Sequence, residues 1–334
     1  MPDSSLVILI VIILLAIGFG LVNGFNDAAN AIATVVGTRV LSPRNAILLA
    51  AVANMAGALT GLEVAKTIGK GILIPDAMCN LTVIAALLSV IVWGAVATYL
   101  GLPVSITHGF IAGLATAGIA IAGTEAVVWG KIAQVGSSVA IAPVLGFIGG
   151  FLLMAVLLWL LRRLAPEKMR TIFGRLQWLT AAFMAYSHGK NDGQMPIGVI
   201  TMGLVIYTGN TGLWDNVPFW VIILSALSIS TGTIIGGWRV IKTLGMRVTT
   251  LRPVHGFAAE ASAATVIEVA SHFGIPVSTT HCISSSIMGV GATRRLSAVR
   301  WGVAGNIVTA WILTFPICGA LGYAFARLLQ PLLG

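Results

Sequence analysis

Apolar runs, each close to the length that crosses a bilayer, recur from Leu6 to Leu329 with only short polar turns between them. A helix needs about 20 predominantly apolar residues to span the hydrocarbon core, where every backbone polar group must be bonded internally. Such a chain is expected to be an all-α polytopic membrane protein. Composition agrees: 57% of residues are hydrophobic and 9% charged, against about 25% charged in soluble domains. The first run lacks a basic leader ahead of it and reads as a retained helix.

The net charge of +9 does not point to nucleic acid, because the basic residues fall in loops between apolar runs rather than in one patch with interleaved aromatics. The densest cluster, "RRLAPEKMRTIFGR" at 162–175, carries five basic residues and one acid. The positive-inside rule places it in the cytoplasm, which implies a multi-pass protein of the cell inner (cytoplasmic) membrane. Cys79, Cys282 and Cys318 have no paired metal spacing and read as apolar filler.

That basic stretch also divides an internal repeat. "GFND" at 24–27 returns as "GKND" at 189–192, "VAKTIG" at 64–69 as "VIKTLG" at 240–245, and "LPVSITH" at 102–108 as "IPVSTTH" at 275–281. Trp129 and Pro143 return as Trp301 and Pro316. Five membrane segments are expected per half: 4–36, 45–62, 82–101, 104–122 and 139–161, then 176–208, 218–238, 255–272, 277–293 and 303–329. An odd number inserts the halves upside down to one another. Loop charge supports this: 37–44 carries Arg39 and Arg44 against only Asp215 in 209–216, whereas 63–76 sums to zero and 239–252 carries four basic residues. The expected organisation is a first inverted repeat (1–162), a basic cytoplasmic linker (163–175) and a second repeat (176–334), with both termini outside. Inverted repeats around a midplane site are a plan of secondary transporters.

The polar residues inside the membrane name the candidate site. The first segment of each half is too long for one straight span and carries Gly-x-Asn-Asp at its interior, so a broken helix is expected there, with Asn26, Asp27, Asn191 and Asp192 facing a cavity. Asn30, four residues after Asn26, shares its face. An aspartate at such depth costs at least about 3 kcal/mol on insertion scales, so Asp27 and Asp192 are candidate ligands of a coupling cation; helix capping is the alternative. In the repeated Pro-Val-Ser element, Ser105, Thr107, Ser278, Thr279 and Thr280 stand at expected helix starts, where free amides and hydroxyls suit a phosphate-like anion, with ordinary capping by Ser or Thr the alternative for one copy. His108 and His281 follow them as candidate anion donors or proton relays, with helix packing an equal alternative. Glu260 lies within an apolar segment as a proton or cation site or a buried neutral acid, Glu268 has no assigned role, and Lys190 could neutralise Asp192.

At these motifs, "GFNDAANA" with "PVSITH" and "GKNDGQMP" with "IPVSTTHC", the sequence resembles the inorganic phosphate transporter (PiT) family over essentially its whole length. The absence of a long hydrophilic central loop resembles its short prokaryotic branch, where a glutamine such as Gln194 follows the second Asn-Asp. The resemblance implies a symporter of inorganic phosphate with Na+ or H+, needing no cofactor and often homodimeric in the lipid bilayer. Asp27, Asn30 and Asp192 would serve the cation, with Asp27 and Asp192 as metal ligands if that cation is Na+; the five hydroxyls would serve the anion. Departures are Met195 opposite Asn30, Ile106 in place of a hydroxyl, and Asn54 where many members resemble a glutamate. The same resemblance extends to sulfate permeases. An anion channel is disfavoured by the paired carboxylates, and a hydrolase built on Ser278 and His281 by the absence of a third group.

Overall fold

A computed structural model of the chain describes residues 6–333; residues 1–5 and 334, the outer ends of the two expected repeats, lie outside the described residues. Each expected membrane segment is predominantly helical. The first half contains α1 (Leu6–Gly37), α2 (Pro43–Ala58), α3 (Glu63–Gly71), α4 (Asn80–Leu100), α5 (Ile106–Ala122) and α6 (Trp129–Leu160). The second contains α7 (Pro166–Asp192), α8 (Gln194–Thr208), α9 (Phe219–Ile235), α10 (Trp238–Lys242), α11 (Pro253–His272), α12 (Thr279–Ala292) and α13 (Trp301–Leu333). Among the described residues four helices, α1, α4, α6 and α13, are individually long and apolar enough to cross a membrane. Two stretches that read from sequence as loops are instead short helices after a sharp bend: α3 turns 71° from α2, and α10 with the π-helical turn Thr243–Arg247 turns 63° from α9.

Packing follows the repeat. Helix α1 packs on α4 and α9, and α7 packs correspondingly on α11 and α2; α5 packs on α13, and α12 on α6. Most of the stretch expected as a linker is the start of α7, where Pro166 occupies the first helical turn, a place that needs no proline N–H.

Two helical hairpins place the polar centre. Helices α4 and α5 are too close-linked to cross in series, because the chain returns to where it began: Ile74 N donates to Ala126 O (2.9 Å) and Val128 N to Ile72 O (3.0 Å). Helices α11 and α12 return likewise, with Arg300 N donating to Val248 O (2.9 Å). At each tip a glycine takes positive φ, Gly101 at 73° and Gly274 at 65°, a conformation that a Cβ would strain. The tips touch: Thr280 Oγ1 of the second hairpin donates to Val104 O of the first (3.1 Å).

The break expected at the first Gly-x-Asn-Asp is absent, since α1 runs through residues 23–30 as continuous helix. In the second half the helix is interrupted only at Gly193. The motif glycine does different work. A Cβ on Gly24 would stand 2.1 Å from Ile229 O of α9, and one on Gly189 2.1 Å from Asn54 O of α2. Both glycines therefore permit backbone-to-backbone crossings, which bring a third helix against each Asn-Asp pair.

Candidate transport site

Asp27 from the middle of α1 and Asp192 from the end of α7 are both buried, at 3% and 1% exposure, and face one histidine. His188 Nε2 lies 3.1 Å from Asp192 Oδ2 and 3.7 Å from Asp27 Oδ2. The ring's other nitrogen, Nδ1, is 2.9 Å from Asn54 Oδ1, and Asn54 Nδ2 donates to Thr233 Oγ1 (2.9 Å). With the Asn54 amide oriented by Thr233, its oxygen accepts the Nδ1 proton, so the Nε2 edge is the one turned to the carboxylates. Asp27, His188 and Asp192 thus form a tight buried cluster of potential cation ligands.

The hydroxyls of both hairpin tips converge on the same carboxylates. Thr107 donates to Asp192 Oδ1 (3.0 Å), Thr279 to Asp192 Oδ2 (2.7 Å) and Thr280 to Asp27 Oδ1 (3.0 Å). Asn30 Nδ2 donates to Thr279 Oγ1 (3.2 Å) and Thr280 Oγ1 (2.9 Å). Asn191 Nδ2 donates to Asp192 Oδ1 (2.9 Å) and to Val277 O (2.8 Å), and Asn26 Nδ2 to Thr98 Oγ1 (2.6 Å). Ser105 and Ser278 are N-caps, accepting from His108 N (3.3 Å) and His281 N (3.1 Å). Capping uses their oxygens as acceptors and leaves each hydroxyl proton free to donate.

Other expected residues stand apart. The rings of His108 and His281 face each other at 5.4 Å between centroids; His108 stacks on Phe315 and His281 lies 4.1 Å from Trp311, so both pack against aromatic side chains of α13 and make no hydrogen bond to the tip hydroxyls. Glu260 does not join the aspartates. Its carboxylate accepts from Thr34 and Thr180 and from Gln177 Nε2 (3.1 Å), one turn beyond Asn30 on α1. Lys190 pairs with Glu268 rather than with Asp192, because its long stem carries the ammonium out to a partly exposed partner. Gln194 caps the start of α3, its Oε1 accepting from Val64 N (2.8 Å) and Ala65 N (3.1 Å).

Two participants carry little signal in the sequence. His188 and Asn23, neither of which has an assigned role there, occupy the same place in the repeat, one residue before each motif glycine; extending the alignment by one position pairs them. Asn23 is fully buried with both amide atoms unpartnered, and the Oδ1 atoms of Asn26 and Asn30 are likewise buried without partners. Unbonded buried oxygens beside a carboxylate suit a hard cation, which takes oxygen ligands.

A multi-pass helical protein that seals two carboxylates and a ring of hydroxyls between opposed hairpin tips has the layout of a membrane transporter. Comparison with known proteins makes this specific. The profile of the phosphate transporter family matches residues 23–322, and the chain belongs to that family, whose members are transporters rather than enzymes. It is 42% identical over 325 residues to a Rhizobium meliloti protein named "Probable low-affinity inorganic phosphate transporter", covering 96% of this chain and 97% of the relative. A Bacillus subtilis protein of the same name is 41% identical over 322 residues, covering 96% of each. A solved structure, named "The sodium-dependent phosphate transporter", superposes with a TM-score of 0.90 at 27% identity, covering 98% of this chain and all of that one.

Proposed function

We propose that this protein is a secondary active transporter that carries inorganic phosphate together with a cation, Na+ or H+, across the cytoplasmic membrane, as two inverted repeats meeting at the hairpin tips. The observation that carries the reading is that hydroxyls from both tips are spent on Asp27 and Asp192. Two buried carboxylates repel a phosphate, and the threonine protons that could hold one are directed at the carboxylates instead. A cation on the carboxylates removes both obstacles: it supplies the missing positive charge and frees Thr107, Thr279 and Thr280 to donate to the anion. Ser105 and Ser278, with the free amides of α5 and α12, complete the anion's donors. Asp27, Asp192 and the oxygens of Asn26 and Asn30 hold the cation, and Asn191 braces Asp192. His188 presents its Nε2 edge to both carboxylates. The solved relative is a sodium-dependent transporter by name, which favours Na+ as that cation. Glu260 is a separate carboxylate on the same pathway, and His108 and His281 support the tips from behind. A homodimer is the assembly that the family resemblance implies.

The test is uptake of radiolabelled phosphate by the purified protein in liposomes. Accumulation driven by an inward Na+ gradient, and weakened by unlabelled phosphate more than by sulfate, is expected. Accumulation driven by a pH gradient alone assigns H+ instead. Uptake indifferent to both gradients overturns symport, and preferential inhibition by sulfate overturns the substrate.

A further inference from the structure

The end of the molecule that holds the loops 37–44, 162–175 and 239–252 carries most of the chain's 19 lysines and arginines. Glu167 is the one acid in those three loops. Within this end, a cleft of about 430 Å³ opens between the end of α6 and the starts of α7 and α11. Its walls are apolar on one side and charged on the other, where Glu167 and His255 stand beside two arginines. Met154 and Leu158 of α6, with Met169 and Val254, form an apolar floor, and Leu158 continues onto the exposed apolar face of α6 that meets the bilayer. Arg170 and Arg252 stand at the mouth, both exposed and neither in an ion pair among the described residues.

Arg252 is shared with an adjoining recess of about 370 Å³, lined by Thr249, Thr250 and Ser297 together with Arg294, Arg295 and Arg300. Arginine at the mouth and hydroxyls beside it suit a phosphate ester, to which guanidinium groups bind in bidentate fashion. The starts of α7 and α11 both open on the cleft, adding the positive ends of two helix dipoles. A free phosphate ion would need the arginines and nothing more. The apolar floor running out to the lipid-facing surface of α6 fits a ligand with a hydrocarbon tail, and a basic pocket between membrane helices on the cytoplasmic side matches an anionic headgroup.

We propose that this cleft binds an anionic phospholipid, its phosphate on Arg170 and Arg252 and an acyl chain along Met154 and Leu158. The headgroup clamps the start of α7 to the start of α11, the two helices that carry Asp192 and Glu260. The site is independent of the transported ions, so its test reads lipid binding and not uptake.

The purified full-length protein in detergent is titrated with phosphatidylglycerol or phosphatidylcholine, and retained lipid is counted by native mass spectrometry. Phosphatidylglycerol should be retained roughly tenfold better, given the attraction of two unpaired arginines for an anionic headgroup. The Arg170→Gln/Arg252→Gln variant should lower it to the phosphatidylcholine level, while Arg39→Gln/Arg44→Gln, on the same basic face, should leave the preference intact. Equal retention of both lipids by the unmodified protein overturns the proposal without any variant. So does an equal loss in the Arg39/Arg44 control, which would mean diffuse attraction only. Displacement of phosphatidylglycerol by millimolar inorganic phosphate would make the cleft a free-anion site and overturn it as well.

Discussion

The two halves place an aspartate each at the centre, yet they surround them unequally. Some contacts are reciprocal across the repeat: Thr280 of the second hairpin donates to Asp27 of the first half, and Thr107 of the first hairpin to Asp192 of the second. Asn26 meets Thr98 as Asn191 meets Ser271. The differences are concentrated on one side. Thr279 adds a donor to Asp192, whereas its counterpart Ile106 is buried in an apolar cluster and adds none to Asp27. Asn191 also donates to its neighbour Asp192, while Asn26 makes no such bond to Asp27. The unpartnered oxygens of Asn23, Asn26 and Asn30 all lie on the helix of Asp27. Asp192 thus accepts from three side-chain donors and Asp27 from one, and the unpartnered amide oxygens stand beside Asp27. The two copies of one motif therefore hold their aspartates with unequal numbers of protein donors.

The strongest test of that inequality replaces each carboxylate. Asp27→Asn and Asp192→Asn are both expected to reduce cation-driven phosphate uptake in liposomes to the background of empty vesicles. Their stabilities should differ. In Asp192→Asn one of two accepting oxygens is lost beneath three side-chain donors, at a cost of about 1–3 kcal/mol for each donor left unsatisfied. In Asp27→Asn the one hydrogen-bond donor affected is Thr280, which keeps Val104 O as an alternative acceptor, and the His188 ring lies farther off at 3.7 Å. Thermal unfolding in detergent should therefore show Asp192→Asn clearly below Asp27→Asn. Equal midpoints would mean that the extra partners of Asp192 contribute nothing, and near-normal uptake by either variant would move the cation elsewhere.

A second test asks where the halves are alike. The Gly24 and Gly189 crossings have the same clearance, with an added Cβ at 2.1 Å from a backbone oxygen in each. Gly24→Ala and Gly189→Ala should each destabilise by about 1–3 kcal/mol, the usual cost of overpacking a close contact. Gly302→Ala on α13, where nothing lies within 4 Å, should not destabilise, since alanine favours the helix. If Gly24→Ala unfolds with the unmodified protein, the motif glycine is not there for the crossing.

These contrasts explain which features are legible in the residues alone. Hydropathy and the duplicated motifs are enough for the helical membrane class, the repeat and the residues that meet at its centre, because burial in lipid leaves few other places for Asp27, Asp192 and the paired hydroxyls. The role of the glycine is not legible, since glycine before Asn-Asp suits an unwound helix and a close crossing equally well, and only the neighbour α9 decides between them. The partner of Lys190 is hidden for a similar reason: Asp192 is two residues away in sequence, but Glu268 is the acid its side chain can reach while staying near solvent. His188 is inconspicuous because one histidine in an apolar segment carries no spacing signal until Asn54 and both aspartates are brought around it.

The smallest expected effect separates two duties of one hydroxyl. Ser105 and Ser278 cap α5 and α12, and replacing a serine N-cap with alanine costs about 1 kcal/mol, whereas glycine costs only a few tenths. The same side chains are proposed donors to phosphate, and glycine cannot donate. Ser105→Gly and Ser278→Gly should consequently unfold almost where the unmodified protein does, yet require a several-fold higher phosphate concentration for half-maximal uptake, as expected for the loss of one hydrogen bond worth about 1 kcal/mol. Alanine at either position should show that same shift together with a lowered thermal midpoint. Glycine variants with unchanged phosphate dependence would reduce both serines to caps, leaving the anion to the three threonines. A shift at Ser278 alone would extend the inequality of the aspartates to the anion side, with the second hairpin holding phosphate and the first only closing over it.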